Sequence, residues 1–254
     1  MRSTRSLAAI AAAFFLTSAF CNAAQAAEVR VLCSNGLKAV MEDLAPQFEK
    51  ATGNKVVVTF GLAAEFKQQI EAGQPFDVAV LTPPLIDDLI KQGKMAPDTR
   101  AVIARTGLGI MIRAGGRKPD VTTTEAFKHS LLGAKSIAFA KVGASGVAFQ
   151  DLIKRLGIAD TLQSKLKPTA TGEELNDLVV HGGAEFGILP LSEILPVRGA
   201  ELGGMFPSDV QSYIVMAAAV GSNAKQGAAA RDLVKFLIAP AALPAIKAKG
   251  MERN

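Results

Sequence analysis

Five short stretches of small or polar residues carry the clearest chemical signal in this sequence. Each lies where a predicted strand or loop enters a predicted helix: Ser34-Asn35-Gly36, Leu62-Ala63, Thr82, Ser145-Gly146 and Thr171-Gly172. The first N–H groups of a helix have no partner within it, and the helix dipole favours negative charge at that end. A charge-assisted hydrogen bond contributes about 1.5–3 kcal/mol, so several converging N–H groups would hold a small anion without lysine or arginine. We therefore expect an anion-binding site built from these stretches.

Patterns for catalysis are sparse. The two histidines, His129 and His181, lie on separate predicted helices without evident partners. The carboxylate pairs fit the solvated faces of helices; they are Glu42-Asp43, Asp87-Asp88 and Glu173-Glu174. The sequence contains no G-x-S-x-G, H-E-x-x-H, P-loop or C-x-x-C motif. We predict no enzymatic activity, catalytic residue, cofactor or metal site, and the remaining enzymatic alternative depends on Cys33 as a nucleophile.

The first of these stretches lies inside a β-α-β pattern at residues 29–61. Val29, Val31 and Cys33 predict a short apolar strand, in which Cys33 is interpreted as a small buried hydrophobic residue. A helix follows with apolar residues at the 3.6-residue period, and the β-branched residues 56–59 predict a second strand. Parallel sheets bind ligands at the carboxyl ends of their strands. The anion site is therefore expected at that edge.

The same pattern recurs along the chain and predicts two lobes. Residues 77–81 form a third predicted strand, and a second set of α/β units begins near residue 122. Two long apolar segments, near residues 105–113 and 213–220, bracket that second set and would connect the lobes. We predict an α/β fold in which each lobe is a mixed, mostly parallel sheet flanked by helices, with the two crossover strands as a hinge. Lobe one would comprise residues 27–107 and 217–254, and lobe two residues 108–216.

Residues 1–26 have the features of a secretory signal peptide. Arg2 and Arg5 precede an apolar core, and Ala24-Gln25-Ala26 has the small-residue pattern of a cleavage site. Removing both arginines lowers the formal net charge from +5 to +3, without a clustered basic run, so nucleic-acid binding is not indicated. Cys33 would then be the only thiol, which excludes an intramolecular disulfide. We expect an exported, soluble and monomeric protein.

The chain resembles the type II periplasmic substrate-binding proteins of ABC transporters, in particular the molybdate-binding proteins. The resemblance is carried in order by VLCSNGLKAVMEDLAPQFEKATGNKVVVTFG, FKQQIEAGQPFDVAVLT, AKVGASGVAFQDLIKRLGI, GGAEFGILPLSEI and RDLVKFLIAPAALPAIKAKGM. It implies a periplasmic protein whose two lobes close on a small anion and present it to an inner-membrane permease. A ligand-sensing protein that signals to a membrane partner is the alternative.

The resemblance also assigns ligand positions, and this chain departs from them. Molybdate-binding proteins use two serines, two helix-start amides and a tyrosine, which correspond here to Gly36, Ala63, Ser145, Gly172 and Pro190. Both serines and the tyrosine are missing, and each oxygen left unpaired costs about 1–3 kcal/mol. Two expectations stay open: that Ser34, Asn35 and Thr82 compensate, or that the ligand is a different anion, such as a small carboxylate that tolerates Leu62, Ala63 and Pro190.

Overall fold

The computed structural model describes residues 26–253, so the predicted signal peptide lies outside the described residues except for Ala26. The strands are β1 (Glu28–Ser34), β2 (Lys55–Gly61), β3 (Val78–Leu81), β4 (Ala101–Arg113), β5 (Ile137–Ala140), β6 (Leu166–Thr169), β7 (Phe186–Pro190), β8 (Ala200–Met205) and β9 (Tyr213–Val220). The helices are α1 (Lys38–Thr52), α2 (Ala63–Glu71), α3 (Pro83–Lys91), α4 (Thr124–Gly133), α5 (Ala144–Arg155), α6 (Ala159–Leu162), α7 (Gly172–Val180), α8 (Leu191–Ile194), α9 (Gly227–Ile238) and α10 (Leu243–Ala248).

The strands form a curled mixed sheet with helices on its faces, as the sequence predicts. The strand order is β2-β1-β3-β9-β4-β7-β5-β6, and β8 pairs separately with β4. β1 is parallel to β2 and β3 in the first half, and β5 is parallel to β6 and β7 in the second. β9 is antiparallel to β3 in the first half, and β4 is antiparallel to β7 in the second, so each half is mixed. The carboxyl ends of the parallel strands are followed by helices in both halves.

β4 is the strand that joins the two halves. Its first part, to Gly107, pairs with β9, whereas Leu108 and the residues after it pair with β7 and β8. β9 itself pairs only with β3 and the first part of β4 among the described residues, and the chain reaches it from β8 through residues 206–212. A single continuous strand therefore belongs to both halves of the sheet.

Local sequence explains the first β-α-β unit. The apolar stripe of α1 is buried against β1, with Val40, Met41, Leu44 and Phe48 at 0–1% exposure. α1 ends at Gly53, which has a φ of 74°, a left-handed conformation that glycine adopts without steric cost. Phe48 meets Phe236 of α9 edge to face, with ring centroids 5.6 Å apart. Helix α9, near the C-terminus, thus packs on the first β-α-β unit.

β8 is the one strand that the sequence patterns do not predict. Its sequence, AELGGM, lacks the β-branched residues that indicate a strand, and its side chains are half-buried throughout. The strand forms because β4 offers it an antiparallel edge from Gly109 to Arg113. Gly203 and Gly204 fit there since a Cβ at either position would lie 3.0 Å or less from a neighbouring side chain. None of the helices in residues 26–253 is long and apolar enough to cross a membrane.

Candidate functional site

A cavity of about 380 Å³ lies between the two lobes, at the carboxyl ends of their parallel strands. Nine of the eleven residues predicted as ligand-binding line it. They are Ser34, Asn35, Gly36, Leu62, Ala63, Thr82, Ser145, Gly172 and Pro190. Most of the remaining lining is apolar and comes from both lobes, including Leu85, Val142, Val147, Leu189, Ile214 and Met216. The structure therefore brings together stretches that are more than 150 positions apart in the sequence.

Gly146 and Thr171 were predicted to bind ligand but do not line the cavity. A Cβ at Gly146 would lie 1.8 Å from the carbonyl oxygen of Ala140, so this glycine faces the β5 backbone instead. The Thr171 hydroxyl accepts a hydrogen bond from the Glu174 N–H at 3.1 Å, as the N-cap of α7. Both residues shape the start of a helix whose neighbouring residues line the cavity.

The lobe-one wall begins where β1 ends. Ser34 is the last residue of β1, and Asn35–Leu37 form a single 3₁₀ turn before α1. Gly36 of that turn is in close contact with β9, since a Cβ there would lie 2.4 Å from Cε of Met216. The thioether therefore occupies the space that a side chain at position 36 would need. A side chain at position 36 therefore requires the Cε methyl group of Met216 to move.

Two further helices begin on the lobe-one wall. The first helical bond of α2 is donated by the Phe66 N–H to the Leu62 carbonyl, at 3.1 Å, which leaves the N–H groups of Ala63 and Ala64 without a helical acceptor. Leu62 supplies no side-chain cap. At α3 the N-cap is Thr82, but Pro83 and Pro84 have no N–H to offer. At its helix starts, lobe one therefore presents open N–H groups to the cavity mainly from α2.

The lobe-two wall has more open donors. Gly143 is the N-cap of α5 and has no side chain, and the first helical bond there runs from the Val147 N–H to the Gly143 carbonyl, at 3.0 Å. The N–H groups of Ala144 and Ser145 are therefore open at the cavity. At α7 the first N–H, on Gly172, is likewise outside the helical bonds. Neither lobe places a lysine or arginine among the described lining residues.

Glu193 is a cavity residue that the sequence patterns did not indicate. It lies on α8, three residues after Pro190 of β7, and it is the one acidic side chain among the described lining residues. The side chain is half-buried because it reaches the cavity, and burial raises the pKa of its carboxyl group from 4.5 to about 7. The sequence signal that could have identified Glu193 is the predicted strand that ends at Pro190, because the residues after it lie at the ligand edge of the sheet.

Two hydrogen bonds to residues of lobe one hold α8 in place. The hydroxyl of Ser192 donates to the carbonyl oxygen of Gly36 at 3.1 Å, and the Ser192 N–H donates to Oγ1 of Thr106 at 3.3 Å. Ser192 is itself 4% exposed. The position of Glu193 is thus fixed relative to the Asn35–Leu37 turn and to β4.

The residues considered for catalysis lie elsewhere. Cys33 is fully buried in β1, where its thiol donates to the carbonyl of Ser34, and burial raises its pKa far above the ordinary value. A thiol must ionise to act as a nucleophile, so the Cys33 alternative is wrong. His129 lies on α4, and His181 follows α7, where Nδ1 is 2.9 Å from the Asp177 carbonyl. In residues 26–253 no group of three or more His, Cys, Asp or Glu side chains is arranged to hold a metal.

Comparison with known proteins places this fold in a family. Residues 29–252 match the family described as bacterial extracellular solute-binding protein. The molybdate-binding protein ModA of Azotobacter vinelandii is 34% identical over 235 residues, covering 90% of this chain and 91% of that protein. An aconitate isomerase of Pseudomonas sp. is 28% identical over 228 residues, covering 87% and 86%.

A solved structure gives the same assignment at the level of fold. The periplasmic molybdate-binding protein of Azotobacter vinelandii superposes with a TM-score of 0.76 at 24% identity, covering 89% of this chain and 99% of that one. The type II periplasmic binding fold predicted from the sequence is thereby confirmed. With its family match over nearly the whole described length, this chain belongs to the bacterial extracellular solute-binding proteins.

Proposed function

We propose that this protein captures a small organic carboxylate in the cavity between its lobes and delivers it to an ABC permease from the periplasm. For this proposal we take the lobe bounds that the sequence predicts, residues 27–107 with 217–254 and residues 108–216. Capture of this kind requires no chemical conversion of the ligand. One chain supplies both walls of the cavity, so a monomer suffices.

The convergence on one cavity of helix starts that keep open N–H groups carries this proposal. α2 comes from lobe one, α5 and α7 come from lobe two, and each contributes residues with open N–H groups to the lining of the same cavity. Such groups and the helix dipoles attract negative charge. The hydroxyls of Ser34, Thr82 and Ser145 have no side-chain hydrogen bond within residues 26–253 and add further donors.

The apolar part of the cavity supports a carboxylate over a tetrahedral oxyanion. Met216 fills the space of a hydroxyl at position 36, and Ala63 and Pro190 stand where the resemblance assigns the other two hydroxyl donors. A volume of about 380 Å³ is in the range of small-molecule cavities, typically ~300–1,000 Å³. Leu62, Leu85 and Ile214 would contact a carbon skeleton. The aconitate isomerase among the relatives supports the same class, because aconitate is an unsaturated tricarboxylate.

A pair of substitutions at Gly172 tests whether the helix-start amides hold the anion. Gly172→Pro removes one N–H at the first position of α7, where proline is tolerated and the preceding Thr171 is already extended, with a ψ of 163°. Gly172→Ala is the matched control, since it adds a Cβ but keeps the N–H. By calorimetry with short di- and tricarboxylates, we expect the proline variant to bind about 10-fold more weakly than the alanine variant.

A ligand screen on the unmodified protein tests the class of ligand. We expect carboxylates to raise the melting temperature and to bind more tightly than molybdate, tungstate, sulfate or phosphate. Native mass spectrometry of freshly purified protein would identify a co-purified ligand. The proposal is wrong if no anion stabilises the protein, and its carboxylate part is wrong if an oxyanion binds most tightly.

A further inference from the structure

The carboxyl group of Glu193 lies in the cavity where the anion is proposed to bind. A carboxyl group is an unexpected neighbour for a bound anion. Two glycines leave its carboxyl open: a Cβ at Gly172 would lie 3.5 Å from Oε2, and a Cβ at Gly36 would lie 3.9 Å from Oε1. Its oxygens make no hydrogen bond or ion pair with another described residue, and Glu193 lines the cavity. An ionised carboxylate here would repel the ligand, so a purely binding role gives no reason for it.

The same carboxyl also borders a second cavity. This cavity has a volume of about 350 Å³ and shares Asn35, Gly172 and Glu193 with the ligand cavity. Lys38, Glu42 and Glu173 line it as well, and none of these charges contributes to the raised pKa, whose cause is burial alone. Nζ of Lys38 lies over the Phe60 ring, 5.6 Å from its centroid. Glu193 thus faces the ligand on one side and a water-accessible space on the other.

We propose that Glu193 moves a proton between two carbon atoms of a bound unsaturated carboxylate, so that the cleft isomerises its ligand. The inference rests on the proposed binding of an organic carboxylate. It assigns the cleft a chemical activity beyond capture, and it makes Glu193 the catalytic acid-base group. The substrate class is a carboxylate with a C–H bond adjacent both to a carbon–carbon double bond and to a carboxylate.

The step balances without a cofactor. The Glu193 carboxylate removes a proton from the methylene carbon, and the electron pair of that C–H bond spreads over the allylic system onto a carboxylate oxygen. The double bond moves by one position when Glu193 returns the proton to the far allylic carbon, which restores the carboxylate of Glu193. No atom is gained or lost, and no oxidant or reductant is needed.

The surrounding groups suit this chemistry. Charge that develops on the carboxylate oxygen is stabilised by fixed N–H donors, and the starts of α5 and α7 supply them on the lobe that carries Glu193. A general base works best when its pKa is near the working pH, and burial places that of Glu193 at about 7. Both protonation states are therefore populated at neutral pH, and the second cavity lets the carboxyl exchange its proton with water.

Proton exchange at carbon tests the inference directly. The unmodified protein is incubated with cis-aconitate, and separately with trans-aconitate, in D₂O, and the reaction is followed by proton NMR. We expect interconversion of the isomers with loss of the C–H signals, at a rate that rises with pH through about 7 as Glu193 ionises. Glu193→Gln should slow both the interconversion of the isomers and the loss of the C–H signals by about 100- to 10,000-fold. The variant should still bind the ligand.

A matched control removes a different carboxyl. Glu125 is exposed in the first turn of α4 and lines neither cavity, so Glu125→Gln should leave both rates unchanged. The inference is overturned if calorimetry shows aconitate bound to the unmodified protein while NMR shows no exchange or isomerisation, or if Glu193→Gln keeps the full rate. The proposed function would survive that result, whereas absence of any bound carboxylate would count against both.

Discussion

The two walls of the cleft differ in what they offer a ligand. The lobe-two wall presents open amides at α5 and α7 and a half-buried carboxyl at Glu193. The lobe-one wall presents a 3₁₀ turn blocked by Met216 and a helix, α3, whose first two residues are prolines. Lobe two therefore contributes the acidic side chain and the larger share of the open helix-start amides, whereas apolar lining residues come from both lobes. Two lobes with the same α/β architecture can therefore contribute unequal numbers of hydrogen-bond donors to the cleft between them.

The largest expected effect on the lobe-two wall comes from a substitution that displaces the start of α5. Gly146→Ala would put a Cβ 1.8 Å from the Ala140 carbonyl oxygen, so the start of α5 must move away from β5. We expect ligand binding to weaken by at least about 100-fold and the free energy of unfolding to fall by about 1–3 kcal/mol. Calorimetry and urea denaturation measure the two effects.

Gly133 provides the control for this substitution. It is also helical, at the end of α4, and a Cβ there would meet nothing within 4 Å. Gly133→Ala should keep full affinity and gain about 0.5–1 kcal/mol of stability. Equal affinities of the two variants would show that the start of α5 does not hold the ligand.

The second prediction concerns the carboxyl that distinguishes lobe two. Because the folded protein holds the Glu193 proton up to about pH 7 and the unfolded chain releases it near 4.5, the free energy of unfolding should fall as pH rises across that interval and level off above it. With about 1.4 kcal/mol for each tenfold change in proton affinity, and allowing for water in the cleft, we expect a loss of about 2 kcal/mol.

Glu193→Gln should abolish this loss, since the amide does not ionise. Urea denaturation of both proteins at pH 4.5 and pH 8 gives the comparison, and Glu125→Gln serves again as the exposed control. Parallel profiles for the unmodified protein and Glu193→Gln would rule out a carboxyl that is buried in its neutral form.

The smallest expected effect comes from making the lobe-one wall more polar. Gly36→Ser alone should bind no better, because its side chain meets Cε of Met216. Combined with Met216→Ala, the serine hydroxyl has space, and we expect molybdate affinity to rise about 5- to 10-fold, or roughly 1 kcal/mol for one added hydrogen bond. Calorimetry on the two single variants and the double variant tests this, and additive effects would contradict the steric explanation.

Much of the fold was accessible from sequence because periodicity and helix starts are local properties. The strand β9 was predicted at its observed bounds, Tyr213–Val220, from its continuous apolar run. A second set of α/β units was predicted to begin near residue 122, and there Thr123 accepts the Ala126 N–H as the N-cap of α4. Both features depend on residues within one or two turns of each other.

The parts that sequence did not reveal depend on distant contacts. Glu193 lies on a four-residue helix with no repeating pattern, and its environment comes from Gly36 and Gly172, which belong to other segments. The filling of the position-36 space by Met216 joins residues 180 positions apart. Gly146 was correctly associated with a helix start, but its close approach to β5 turns it away from the cavity.

The contact between Gly36 and Met216 also constrains how ligand preference can evolve in this chain. A serine at position 36 needs the Cε methyl group of Met216 to move, and replacing Met216 first by a smaller residue is one way to make room. That first change removes a side chain that is 1% exposed, at a cost of about 2–5 kcal/mol for a methionine reduced to alanine, before any new hydroxyl can act. This order of substitutions therefore passes through a less stable variant, so the contact between Gly36 and Met216 opposes the introduction of a hydroxyl donor at position 36.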